Sequence, residues 1–82
     1  MGKYKKRPVA VEAVQYTAKQ KEEVIRFLEE KKCPYSFRYG ALFIITLEGT
    51  MRVAEGDWLI CGIKGEVYPC KDEIFRMTYE EE

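Results

Sequence analysis

Glycines recur at short intervals between apolar runs in the second half of the chain, and this pattern constrains the fold more than any other feature. Gly49, Gly56, Gly62 and Gly65 separate the runs MRVA, WLIC and EVYPC. Glycine reaches positive φ without steric cost, which tight hairpin turns require. Asp57 follows Gly56 and can accept backbone amides within its turn. The pattern predicts short antiparallel strands joined by tight turns. Neither G-x-G-x-x-G nor the Walker motif is present, so a phosphate-binding loop is disfavoured.

One segment, residues 17–32, has the period of an amphipathic helix. Its apolar stripe consists of Val24, Ile25, Phe27 and Leu28. Thr17 and Gln20 have the spacing of a capping box, in which side chains satisfy free backbone amides at the helix start. Lys31 lies near the end, where the helix dipole favours cations, and Pro34 terminates the helix. These signals predict one helix near the N-terminus.

The remaining segments predict strands of different kinds. Residues 9–16 alternate, with Val9, Val11 and Ala13 on one face. Residues 35–40 are expected to form a short edge strand or a loop, and residues 41–48 are apolar on both faces, which is typical of a central strand covered on both sides. Residues 71–82 form a short C-terminal helix or a strap. The predicted fold is α+β: a small curled, partly barrel-like antiparallel sheet of about five strands, packed with the N-terminal helix.

The chain of 82 residues is short enough to predict a single domain, with a basic arm at residues 1–7 and an acidic tail at residues 80–82. The arm carries Lys3, Lys5, Lys6 and Arg7. Three interpretations of the arm remain open: a solvated terminus, a contact with phosphates, or pairing with the acidic tail. The chain has 14 basic and 14 acidic residues. This balance disfavours nucleic acid as a partner and is compatible with a homo-oligomer.

The residue types also disfavour an enzyme. Cys33, Cys61 and Cys70 are odd in number and widely spaced, and the chain has no histidine. We therefore expect reduced, buried thiols rather than a disulfide framework, a zinc site or a Cys–His nucleophile. The carboxylates at the predicted turns could form an acid–base cluster or be simply solvated: Glu48, Glu55, Asp57 and Glu66. We expect a non-catalytic protein without a metal or cofactor.

Candidate binding residues fall into two sets. For an anionic ligand such as a nucleotide, the available cations and stacking platforms are Arg7, Arg38, Arg52, Lys64, Lys71, Trp58 and Tyr68. For a protein partner, Tyr35, Phe37 and Tyr39 predict an exposed aromatic patch. Trp58, Tyr68 and Tyr79 have two interpretations, as core residues beside a turn or as rim residues that stack on a ligand. We find no apolar run that could span a membrane and no secretion signal, so we expect a cytosolic protein.

Three stretches of the chain resemble a family of short proteins encoded by bacteriophages and prophages. They are YKKRPVAVEAVQY, ITLEGTMRVAEGDWLICGIKGEVYPCK and IFRMTYEE, which together cover most of the sequence. The ordered succession of TLEG, GDWLI, KGE, YPCK, IF and TYE is specific. The chain departs from the family at Glu55, where proline commonly precedes Gly-Asp-Trp, and at Tyr16, near which tryptophan is frequent.

The resemblance implies a small phage accessory protein that binds a host component in the host cytoplasm. Accessory proteins of this kind include inhibitors of host immunity, some of which are oligomers that sequester nucleotide signals, whereas others block a host enzyme. Counter-defence is therefore the expected role, with either a host protein or a small nucleotide signal as partner. The alternatives are a nucleic-acid-binding protein and a virion or assembly accessory protein.

Overall fold

The computed structural model of the protein describes residues 1–5 and 7–81, so Lys6 of the predicted arm and Glu82 of the predicted tail lie outside the described residues. The described chain contains two α-helices and six strands. In chain order these are β1 (Glu12–Gln15), α1 (Lys21–Glu30), β2 (Tyr35–Arg38), β3 (Ala41–Thr46), β4 (Gly49–Val53), β5 (Trp58–Cys61), β6 (Val67–Cys70) and α2 (Asp72–Thr78).

The strands form two antiparallel sheets of three strands each. The β1 sheet has the order β1-β5-β6, and the β3 sheet has the order β2-β3-β4. The hairpins of the β3 sheet are thus inserted between β1 and its partner β5. The predicted α+β class, the N-terminal helix and the short C-terminal helix are confirmed. The strands divide between two open sheets, and no closed barrel forms among the described residues.

Helix α1 and the inner faces of both sheets share one apolar core. Val24 and Leu28 of α1 are fully buried, as the helical stripe predicted. They pack with Leu42 and Ile44 of the β3 sheet and with Leu59 of the β1 sheet. Because one cluster contains residues from both sheets, the two sheets present their opposite faces outward.

The predicted capping box is wrong. Neither Thr17 nor Gln20 makes a side-chain cap hydrogen bond. A 3₁₀ turn, Ala18–Gln20, precedes α1, and the Gln20 amide donates to the Thr17 carbonyl at 3.0 Å. This backbone bond occupies the amide that the Thr17 hydroxyl would otherwise accept from.

Strand β1 is shorter than the alternation of residues 9–16 predicts. Its register places Glu12 opposite Cys61, the last residue of β5. Beyond Cys61 the chain turns, and the Gly62 amide donates to the Glu66 carbonyl at 2.7 Å. Residues 9–11 therefore have no strand of the β1 sheet opposite them.

Strand β3 is central in its sheet but is covered on one face only, which corrects the prediction of two covered faces. Leu42 and Ile44 are fully buried, whereas Phe43 is half-buried and Ile45 is exposed. The inward-facing residues of the β3 sheet, including Leu42, Ile44 and Val53, join one core cluster with α1, whereas Phe43 and Ile45 lie on the opposite face. An apolar sequence alone did not reveal that no helix or strand of the described residues covers this opposite face.

Glycine is required at the turns for two different structural reasons. Gly49, Gly56 and Gly65 have positive φ, as predicted, with values of 108°, 95° and 84°. Gly62 does not have positive φ, so that part of the turn prediction is wrong. A Cβ at Gly62 would instead collide with the side chain of Glu66, which lies across the β5–β6 hairpin.

Candidate functional site

Helix α2 covers the outer face of the β1 sheet through an aromatic stack. Trp58 in β5 and Phe75 in α2 lie with ring centroids 3.9 Å apart and planes 7° from parallel. Phe75 also contacts Tyr79, at 5.1 Å between centroids. Ile60, on the same outer face, is 1% exposed. Trp58 is thus the half-buried centre of a second apolar layer, which favours the first of its two sequence interpretations.

Asp72, the first residue of α2, holds the helix to the sheet. Its Oδ1 accepts hydrogen bonds from Trp58 Nε1 at 2.8 Å and Gln15 Nε2 at 3.3 Å. Arg76 Nε donates to the same carboxylate at 3.0 and 3.1 Å. The bond from Trp58, followed by that from Arg76, lowers the pKa of Asp72. The carboxylate therefore stays ionised near neutral pH, as a fixed acceptor suited to positioning rather than to proton transfer.

Tyr68 of β6 extends this layer. Its side chain hydrogen-bonds that of Tyr79, and this bond together with burial raises the pKa of Tyr68 to about 12. The hydroxyl is therefore neutral across the physiological range. Tyr68 thereby links β6 to Tyr79, the residue that follows α2.

An open groove of about 850 Å³ runs between α2 and the N-terminal segment; we call it the α2 groove. Its lining residues are Pro8, Val9, Ala10, Val11, Ala13, Gln15, Trp58, Phe75, Arg76, Thr78, Tyr79, Glu80 and Glu81. Val9, Val11 and Ala13 lie together along it, as the predicted alternation placed them. Arg76 is paired with Asp72, whereas no salt bridge among the described residues includes Glu80 or Glu81. The groove combines apolar and aromatic walls with an acidic end.

A second open surface is the outer face of the β3 sheet, which we call the β3 face. The strand register places seven side chains on it: Ser36, Arg38, Ala41, Phe43, Ile45, Thr50 and Arg52. Phe43 in the central strand is opposite Ser36 on one side and Arg52 on the other. Arg38 and Arg52 are exposed, and no acidic residue or lysine belongs to this set. The β3 face is a locally cationic, partly apolar surface in a chain of zero net charge.

The predicted anion-binding residues occupy separate parts of the molecule. Trp58 and Tyr68 share the outer face of the β1 sheet, and Arg38 and Arg52 share the β3 face. Lys64 is on the β5–β6 hairpin, Lys71 precedes α2, and Arg7 is in the arm; all three are exposed. Within one molecule, only the two pairs lie on common faces.

The predicted aromatic patch is wrong for two of its three residues. Tyr35 and Phe37 point inward and pack against the core, in edge-to-face contact at 6.2 Å. The Tyr35 hydroxyl donates to Glu29 Oε2 at 3.2 Å. Only Tyr39, at the β2–β3 turn, is fully exposed. The period of two in β2 accounts for this, because Tyr35 and Phe37 share the inner face.

The three cysteines are free thiols, as predicted. Cys33 is buried, and burial raises the pKa of its thiol, which disfavours the reactive thiolate. Cys61 and Cys70 are half-buried rather than buried.

Asp57 stabilises the β4–β5 turn as predicted, because its Oδ2 accepts a hydrogen bond from the Ala54 amide at 3.0 Å. In the described part of the chain, no three His, Cys, Asp or Glu side chains are grouped so that they could hold a metal ion.

Several residues of these surfaces were not singled out from sequence. Phe43 was hidden in an unbroken apolar run, in which no polar residue marks the outward-facing positions. No sequence motif marks Gln15, Asp72 or Arg76. Their side chains come into contact only because α2 docks on the β1 sheet.

Compared with known protein families, with curated proteins and with solved structures, the chain has no significant match. Among residues 1–5 and 7–81, no helix is both long enough and apolar enough to cross a bilayer. The geometry of the two surfaces is therefore the basis for a functional assignment.

Proposed function

We propose that the protein is a small, non-catalytic bacteriophage accessory protein that binds a host component in the host cytoplasm. Its role is counter-defence, and it acts by covering an acidic surface of a host protein. The binding surface is the β3 face. The observation that carries this proposal is the composition of that face: two arginines around a central phenylalanine, and no carboxylate.

The composition of the β3 face resembles the contact regions of protein complexes. Aromatic residues and arginine are enriched at such interfaces, whereas lysine, glutamate and aspartate are depleted. The charged residues among the seven side chains of the face are Arg38 and Arg52, and the set contains no lysine, glutamate or aspartate. Arg38 and Arg52 supply bidentate donors for carboxylates, and Phe43 and Ile45 supply the apolar centre. An acidic partner surface meets both requirements.

The shape of the β3 face favours a protein over a small ligand. Small-molecule sites are concave and enclose most of their ligand. Three neighbouring strands, each about 4.8 Å from the next, instead present an open surface. The side chains of Tyr39 and Leu47, in the turns at the two ends of β3, are also exposed.

A nucleotide signal is the second candidate, because the same three residues could bind one. Phe43 can stack on a base, and the guanidinium groups of Arg38 and Arg52 can hold phosphates. Native mass spectrometry with a pool of cyclic and ADP-ribose-derived nucleotides tests this version. The expected result is a ligand mass on the wild-type protein that disappears in F43A.

The main test is affinity capture from host lysate with the wild-type protein and with R38E/R52E. The matched control is K19E/R26E, which changes two exposed cations outside the β3 face. Both variants have 12 basic and 16 acidic residues, and hence the same net charge of −4. We expect one host protein to be retained by the wild type and by the control but not by R38E/R52E. With that protein purified, the affinity of R38E/R52E should be lower by more than about a hundredfold.

Equal loss in both variants would show a general charge effect, and equal retention by all three baits would place the contact elsewhere. Either result would contradict the β3 face as the binding surface. Circular dichroism of each variant checks that the fold is intact.

A further inference from the structure

The N-terminal arm, residues 1–11, precedes β1. Residues 1–5 and 7–11 belong to no strand or helix, and Val9 is 47% exposed. Yet residues 9–11 continue the alternation of β1, with valines on the side that lines the α2 groove. An alternating apolar segment beside an open edge of backbone is a typical site of pairing with another chain.

The overall dimensions agree with a projecting arm. A compact chain of 82 residues has a radius of gyration of about 12 Å, whereas the radius of gyration here is 13.5 Å. The principal extents are 47 × 24 × 20 Å, so one dimension is about twice the others. The arm is therefore available to reach a neighbouring molecule.

The charges of the arm and of the α2 groove are complementary. Residues 1–7 contain four cations and no acid, and residues 79–82 contain three consecutive glutamates. In the structure, Glu80 and Glu81 border the groove. Among residues 1–5 and 7–81, no ion pair joins Lys3, Lys5 or Arg7 to either glutamate. Each molecule thus carries both a basic segment and an acidic groove that it does not use together.

We propose that the α2 groove is the docking site for the arm of a second copy of this chain. In the resulting dimer, each protomer lays its arm in the groove of the other. The basic residues of the arm lie against the glutamates of the partner's tail, and the exposed ring of Tyr4 in the arm lies against the partner's aromatic wall. The contact is self-complementary, because each copy contributes one arm and one groove, and it closes as a two-fold dimer. This dimer leaves the β3 face open, so it does not depend on the proposed function.

Two sets of charge-reversing substitutions, one in the arm and one in the tail, test whether two copies of the chain exchange their arms. K3E/K5E/R7E gives an acidic arm, and E80K/E81K gives a basic tail end. In both variants the arm and the groove of a homodimer would then repel each other. By sedimentation equilibrium, we expect the wild type to form a species of twice 9.7 kDa. Each block variant should dimerise at least about tenfold more weakly, since partly exposed ion pairs each contribute modestly.

Mixing the two variants separates exchange between molecules from pairing within one molecule. An acidic arm fits only the basic groove, and the remaining basic arm fits only the acidic groove, so the mixture should form a one-to-one heterodimer. Pairing within one molecule would leave both variants, and their mixture, monomeric. The control K19E/R26E/K32E changes three exposed cations elsewhere, has the same charge as K3E/K5E/R7E and should dimerise like the wild type.

Two results would overturn the proposal. The first is a wild-type protein that is monomeric at all concentrations reached. The second is a dimer whose strength is unchanged in both block variants, which would locate the interface on another surface.

Discussion

Within the β4–β5 turn, Gly56 is the position whose backbone conformation most strongly requires glycine. Its φ is 95°, and its amide donates to the Tyr16 carbonyl at 2.7 Å. The same turn is held by Asp57, which accepts the Ala54 amide. A side chain at positive φ meets the neighbouring carbonyl, so this conformation is strained for any residue other than glycine.

We therefore expect G56A to lower the free energy of unfolding by about 1–2 kcal/mol. Urea unfolding followed by circular dichroism measures the change. E55A alters the exposed neighbour and should stay within about 0.5 kcal/mol of the wild type. A G56A protein as stable as E55A would contradict the strain argument.

The raised pKa of Tyr68 makes the stability of the fold depend on pH in the alkaline range. Its pKa is raised from 10.0 to about 12, chiefly by the hydrogen bond to Tyr79. Between these values the unfolded chain loses its Tyr68 proton while the folded chain keeps it. The contribution to stability is therefore complete below pH 10 and is lost as the pH rises through about 12.

In Y79F the acceptor is missing, so we expect the pKa of Tyr68 to fall towards 10 and the alkaline loss of stability to shrink. The measurement is a pH titration of tyrosinate absorbance, with thermal unfolding at each pH. Y39F removes a fully exposed tyrosine and serves as the control. If Y79F and Y39F titrate alike, the Tyr68–Tyr79 bond does not form in solution.

At the scale of elements, α2 is a short helix that depends on docking for its stability. It has 7 residues, too few for a stable isolated helix in water. The stack of Phe75 on Trp58 and the bonds of Asp72 hold it against β5. Because Trp58 is the only tryptophan of the chain, its fluorescence reports directly on this contact.

We expect F75A to lower the free energy of unfolding by about 2–3 kcal/mol, from lost burial and lost stacking. The emission of Trp58 should shift to longer wavelength as the ring becomes solvated. Ile74, on the exposed side of α2, provides the control. I74A should change neither quantity, and an F75A protein with unshifted emission would contradict the docking described here.

The elements that could be predicted from sequence are those set by local patterns. The apolar stripe that contains Val24 and Leu28 predicted α1, and the regularly spaced glycines predicted the hairpins. The end of β1 could not be predicted, because it depends on where β5 turns, at Gly62. The division into two sheets likewise depends on α1, which covers the inner faces of both.

The candidate surfaces were predicted only in part. Trp58 was singled out from the sequence, but its partner Phe75 lies 17 positions away and is brought to it by the docking of α2. Arg38 and Arg52 were chosen as cations, yet their shared face follows from pairing with β3. Phe43, between them, was missed because a continuous apolar run conceals which residues point outward.

At the scale of the whole molecule, a net charge of zero hides a strong separation of charge. The arm is basic, the end of the α2 groove is acidic, and the β3 face has arginines without carboxylates. Balanced composition therefore does not make the protein electrostatically neutral towards a partner. In our account, the β3 face binds the host component and the α2 groove binds a second copy.

A calorimetric titration of the captured host protein tests the central claim most directly. The variants are R38A, F43A and R52A, with R26A, at an exposed cation outside the β3 face, as the control. We predict that F43A binds at least about thirtyfold more weakly, as expected of a central aromatic contact. R38A and R52A should each bind about tenfold more weakly and depend less on salt, and R26A should bind like the wild type. Affinities that are the same for all four variants and the wild type would contradict the claim that the β3 face is the binding surface.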